Sequence, residues 1–113
     1  VAAISHLPLV ISVALVEAVV GAGDAPEPDW TEARGLAAGG WRDMSRLARG
    51  DARMGAEIAA TNAASIAALI RRYRDRLDEL LAELEAPGGP DPARIERRLA
   101  RAAERADPDP GPR

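Results

Sequence analysis

Residues 51–86 read DARMGAEIAATNAASIAALIRRYRDRLDELLAELEA, and this stretch decides the fold. Met54, Ile58, Asn62, Ile66, Leu69, Tyr73, Leu77, Leu80 and Leu84 recur at steps of three and four. That spacing puts them on one face of an α-helix. Arg71, Arg72, Arg74, Asp75, Asp78 and Glu79 take the opposite face, where charge is solvated. Asp51 stands where an N-cap is needed, and Pro87-Gly88-Gly89-Pro90 stops the helix. The spacing therefore predicts one long helix over 51–86. A further helix opens at Asp91-Pro92, with Asp as cap and Pro in the first turn. Its apolar stripe is thin: Ile95, Leu99, Ala102 and Ala103.

Upstream, residues 2–22 are apolar except for Ser5, His6, Ser12 and Glu17. A membrane span needs about 20 such residues, but Glu17 would lie in the bilayer at a cost of a few kcal/mol. A signal peptide needs a basic start, which is missing. The favoured reading is a helix buried on most sides, in a core or a dimer interface, with Pro8 near its first turn. Residues 23–29 form a polar turn. Asp29 can cap a short helix over 30–38, with Glu32 near its third position. Gly39 and Gly40 are expected to end that helix, leaving 40–50 as a loop or single helical turn. The proline-rich residues 107–113 are expected to be a disordered tail. The fold class is all-α, with about four helices over 1–106 and no strand. The first and third helices are too apolar for so small a bundle to cover. A partner surface is expected, and in a homodimer it would be isologous.

At 113 residues the chain suits one domain with a modest core. All 15 basic residues are Arg, and the net charge is −3, so no basic face points to nucleic acid. With no Cys and one His, disulfides, thiolate chemistry and cysteine zinc sites are excluded, and no metal site is expected. A cytoplasmic setting is the default. The first residue is Val1, which runs straight into the apolar segment, so an upstream domain is expected.

The residues able to speak about function cluster in Gly39-Gly40-Trp41-Arg42-Asp43-Met44-Ser45-Arg46 and in Ser5-His6-Leu7-Pro8. Arg46 offers a planar fork of donors that suits a carboxylate or phosphate. The competing reading is an ion pair with Asp43 or Asp51. Asp43 would orient an arginine either way, and Arg42 and Arg49 read as surface residues. His6 could bind a ligand or relay a proton, or simply cap the helix start through a ring–backbone bond. Trp41 could stack on a ligand, but a large aromatic more often fills an interface or core, as Trp30 would. Asn62, on an apolar stripe, must find partners at a helix end or across chains. Ser5 and His6 are neighbours in sequence and diverge on a helix, so they are no nucleophile–base pair. No Gly-x-Gly-x-x-Gly or phosphate loop is present, so the chain cannot hold a nicotinamide cofactor alone.

These motifs resemble the C-terminal domain of the prephenate dehydrogenase family. That family opens a buried helix with Ser/Thr-His-Leu-Pro-His, here Ser5-His6-Leu7-Pro8-Leu9. It then carries Gly-Gly-aromatic-x-Asp-x-Thr/Ser-Arg-hydrophobic-Ala, matched without a gap by Gly39 to Ala48. Asp51, Met54 and Asn62 follow in register, and the resemblance spans about residues 1–86. It implies an intertwined helical dimerisation domain, like that of 6-phosphogluconate dehydrogenase-type enzymes, below a Rossmann domain holding NAD or NADP. It also implies oxidative decarboxylation of prephenate to 4-hydroxyphenylpyruvate in tyrosine biosynthesis. The catalytic base would lie in the nucleotide-binding domain, so this chain alone would be inactive. Carried over by position, Arg46 would pair with a substrate carboxylate and His6 would match the first family histidine. Gly39 and Gly40 would form the turn toward the neighbouring subunit's site. Asp43 would support the ionic network there, with Ser5, Trp41 and Asn62 in supporting or interface places. Two positions depart from the pattern. The second family histidine is Leu9, and a frequent tryptophan is Gly55. They keep arogenate open as substrate, beside a non-enzymatic helical dimerisation module.

Overall fold

The computed structural model describes residues 2–23, 25, 26, 30, 34 and 39–106. Among them lie five α-helices and no strand, which meets the all-α expectation. Of the predicted helix over 30–38 only Trp30 and Arg34 are described, and its Asp29 cap and the tail 107–113 fall outside the described residues. A π-wound turn, Ala2–His6, leads into α1, Leu7–Val20. Then come α2, Gly39–Ser45, and a 3-10 turn, Arg46–Arg49. They are followed by α3, Ala52–Thr61, α4, Ala63–Leu84, and α5, Pro92–Ala106. The chain falls into two compact units, Val1–Arg72 and Tyr73–Arg113.

Local chemistry sets most boundaries where the sequence puts them. The Asp51 carboxylate accepts the N–H groups of Arg53 (2.9 Å) and Met54 (3.4 Å), satisfying donors that α3 leaves open at its start. Asp91 does the same for Ala93 and Arg94 at the start of α5, with Pro92 as its first residue. Gly21, at φ 117°, ends α1, and Gly88 and Gly89, at 84° and 95°, make the turn between α4 and α5. The change from π to α winding falls beside Pro8, which cannot donate to Ile4 and crowds its carbonyl.

Two expectations are corrected. Residues 40–50 are neither loop nor lone turn: Gly39 and Gly40 lie in α2, which is followed directly by the 3-10 turn, and neither has a positive φ. The helix over 51–86 is divided at Asn62 (φ −124°, ψ 28°). The Thr61 hydroxyl donates back to the carbonyls of Glu57 (2.8 Å) and Ile58 (3.4 Å), a bond that bends helices, and the Asn62 side chain turns away to another partner. Of the two places expected for α1, a core or a dimer interface, the single chain does not supply the core. Ala2–Val20 is long and apolar enough to cross a membrane by length and composition, yet Ile4 is 84% exposed and only Ser12 is fully buried. The first unit is too small to wrap a helix that is apolar all round.

What holds α1 is specific. In the first unit it packs on the 3-10 turn and on α2. Ser12, 2% exposed, accepts the Ala48 N–H at 3.0 Å. Ser45, equally buried, accepts from Arg49 Nη1 at 2.7 Å and donates to the Arg42 carbonyl at 3.5 Å. In the second unit Arg76 and Arg98 share Glu79, at 2.8 and 3.7 Å, and Arg94 pairs with Glu83. Arg76 and Arg94 are largely solvated and the Arg98 contact is long, so these pairs contribute little to stability. The stability of the first unit rests more on the Ser12 bond. Ser12→Ala should therefore lower unfolding stability by about 1–3 kcal/mol, because Ala48 loses its acceptor in a part-buried place. Chemical denaturation of the two proteins checks this, and an unchanged midpoint would show that Ala48 is satisfied otherwise.

Candidate functional site

Two of the sequence motifs meet in the first unit. An open groove of about 730 Å³ runs along α1, with the 3-10 turn and α3 on its other side. Ser5, His6, Leu9 and Glu17 line it from the α1 side, Arg46 from the turn, and Asp51 and Gly55 at and within α3. His6 and Arg46 are 40 positions apart in sequence and come together because Ser12 ties α1 to the backbone two residues beyond Arg46.

Arg46 makes no ion pair with Asp43 or Asp51: the ion pairs among the described residues all lie in the second unit. Its exposed guanidinium lines the groove instead, and Asp51 spends its carboxylate on the α3 cap. Asp43 is exposed on α2, outside the groove, and holds no arginine among the described residues. Arg42 and Arg49 are exposed, as expected, although Arg49 also bonds the Arg42 carbonyl at 3.3 Å.

His6 is half-buried. The expected bond from its ring to backbone is not made. Its Nδ1 instead faces the Asn62 amide nitrogen at 3.0 Å. Asn62 therefore finds its partner within the same chain. Trp41 is half-buried against Trp30, with ring centroids 4.9 Å apart and planes tilted by 46°, which is aromatic packing and not a ligand shelf. Gly39 and Gly40 are exposed, and a Cβ on either would meet nothing within 4 Å, so no close approach among the described residues requires glycine.

Sequence reasoning did not place Glu17 in the site, nor pair Leu9 with Gly55. A Cβ on Gly55 would stand 3.6 Å from Leu9 Cδ2. The two departures from the family pattern thus face one another across the groove. Their 46-residue separation in sequence gave no signal of this. The single charge on an otherwise apolar α1 was a readable sign that Glu17 had a wet or functional place.

The groove can bind and orient. Arg46 supplies a forked cation, His6 an imidazole, and Leu9 with Val13 an apolar floor for a ring. Among the described residues no group of three or more His, Cys, Asp or Glu is placed to hold a metal ion. With no strand among them there is also no sheet edge of the kind that binds a dinucleotide.

The family described as "Prephenate dehydrogenase, dimerization domain" matches residues 1–96. Among solved structures, the chain is similar to the crystal structure of arogenate dehydrogenase from Synechocystis. The two are 30% identical with a TM-score of 0.81, over 94% of this chain and 36% of that one. The chain thus spans about a third of that dehydrogenase. No curated protein matches.

The Leu9–Gly55 contact generates a test. At 3.6 Å a methyl group makes ordinary contact, so Gly55→Ala should be accommodated and should stabilise α3 by about 0.5–1 kcal/mol through helix propensity. Thermal unfolding measures this, and a loss of stability would mean that the groove closes tighter on Leu9 than the structure shows.

Proposed function

The chain belongs to the prephenate dehydrogenase family as its dimerization domain, and on that premise we propose that its groove is the substrate-facing wall of an NAD(P)-dependent prephenate dehydrogenase. The reaction is oxidative decarboxylation of prephenate to 4-hydroxyphenylpyruvate, in tyrosine biosynthesis. One observation carries the reading: His6 and Arg46, each from a separate motif, line the same groove with Arg46 unpaired by Asp43 or Asp51. Arg46 takes a substrate carboxylate through a charge-assisted fork, which fixes orientation as well as affinity. His6 takes a second polar group of the same ligand. The apolar floor between them receives the ring.

The cofactor, NAD or NADP, and the catalytic base belong to a Rossmann domain outside this chain. The described residues do not themselves fit a dinucleotide, so this chain alone should not turn over substrate. The apolar surface of α1 and the exposed leucines of α4 pack in a homodimer, which also accounts for a span-length apolar helix without a membrane. The setting is cytoplasmic. With a net charge of −3, nucleic acid is not a partner.

Arogenate is the second reading. Its support is the likeness to a solved arogenate dehydrogenase, together with Glu17 in the groove. A carboxylate there suits the ammonium that arogenate carries where prephenate has a keto group.

In the intact protein carrying this chain, Arg46→Ala should weaken kcat/KM for the substrate by on the order of 2 kcal/mol, mostly through KM. Dinucleotide affinity should stay unchanged. Equal losses for substrate and dinucleotide would mean misfolding, and no loss would remove Arg46 from the site. Glu17→Gln decides between substrates when NAD- and NADP-linked oxidation of both is assayed. A selective fall in arogenate turnover supports the second reading, while turnover of prephenate with no change for either substrate supports the first.

A further inference from the structure

His6 is the chain's sole histidine, and its ring is held from one side by a residue far away in sequence. The Asn62 amide nitrogen lies 3.0 Å from Nδ1. An amide nitrogen only donates, so Nδ1 accepts and the ring proton sits on Nε2. Among the described residues His6 has no other side-chain hydrogen bond, which leaves Nε2–H as the ring's remaining polar group on a residue that lines the groove.

The backbone at both ends of this bond is built for it. Asn62 sits at the division between α3 and α4, yet its own N–H reaches the Ile58 carbonyl (3.0 Å) and its carbonyl accepts from Ile66 (3.1 Å). The main chain is therefore satisfied, and only the side chain is committed to His6. The bend that frees it comes with the back-bonded Thr61 hydroxyl. His6 closes the π-wound turn, a widened winding frequently found at functional sites.

We propose that Asn62 is a positioning residue: its bond to Nδ1 holds His6 in the Nε2–H tautomer, so that the ring offers a hydrogen-bond donor to an oxygen of the ligand in the groove. The ligand half of this inference rests on the groove being the substrate site. The tautomer half does not. The device matches the way a second partner orients an imidazole in many sites, where the bond at one nitrogen decides what the other can do.

The test uses the whole chain labelled with nitrogen-15, in which one histidine gives one set of ring resonances, at a pH where the ring is neutral. In the parent chain Nδ1 should be unprotonated. A free ring prefers the same tautomer, so the variant decides. In Asn62→Asp the carboxylate can only accept, and Nδ1 should become protonated. Nδ1 unprotonated in both, or protonated already in the parent, overturns the proposal. Circular dichroism establishes that the variant is folded. If it is not, Asn62→Leu serves: the Nδ1 resonance should move to that of an unbonded ring nitrogen, and an unmoved resonance overturns the bond.

The second arm assays prephenate with the intact protein. Asn62→Leu should raise KM roughly tenfold with little change in kcat, beside Arg46→Ala as control. If Arg46→Ala impairs binding and Asn62→Leu does not, the donor role is overturned while the groove reading stands. If neither affects binding, the groove is not the substrate site and the ligand half falls with it, whatever the tautomer.

Discussion

The bond from the Ala48 N–H to the Ser12 hydroxyl is the contact on which the first unit depends. It is a single hydrogen bond, but it lies where alternatives are few. α1 presents apolar side chains in every direction, so dispersion and burial alone do not choose its rotation or its register. A buried hydroxyl that must find a partner does choose. With Ser12 anchored to the 3-10 turn, His6 and Leu9 on one helix are set against Arg46 and Gly55 on two others, and the groove exists.

A second constraint is surface. The described part of the chain buries one apolar residue to core standard, Ile66, and leaves leucines, isoleucines and valines of α1, α4 and α5 exposed. That balance does not support a free-standing bundle of this size. It is what half of a shared core looks like, and it agrees with membership in a family of dimerization domains. The same apolar character that makes α1 resemble a membrane span makes it suited to an interface between chains. The site inherits this dependence, because the helix that carries His6 is completed by whatever covers α1.

Legibility in the sequence followed the range of the interaction. The caps at Asp51 and Asp91, the glycine turn at 88 and 89 and the proline in the first turn of α1 are local, and were readable from residue type and spacing. The division at Asn62 was not, because the periodicity continues straight through it; a threonine back-bond and a distant histidine decide it. Gly39 and Gly40 read as a helix end, since glycine is favoured there, yet they lie in α2. Arg46 and His6 were identifiable as candidates from their chemistry, whereas Glu17, Leu9 and Gly55 became neighbours of theirs only through packing.

The sequence by itself determined the helical class, the helix ends set by capping and turn residues, the need for a covering partner and the family. These follow from periodicity, capping chemistry and motif order, all properties of residues close along the chain. The tertiary structure alone decided which candidates share a groove, which nitrogen of His6 is engaged, and that Arg46 leaves Asp43 and Asp51 unpaired. Each of those depends on how α1 is rotated against the 3-10 turn and α3. A helix apolar on all sides carries no pattern from which that rotation could be read.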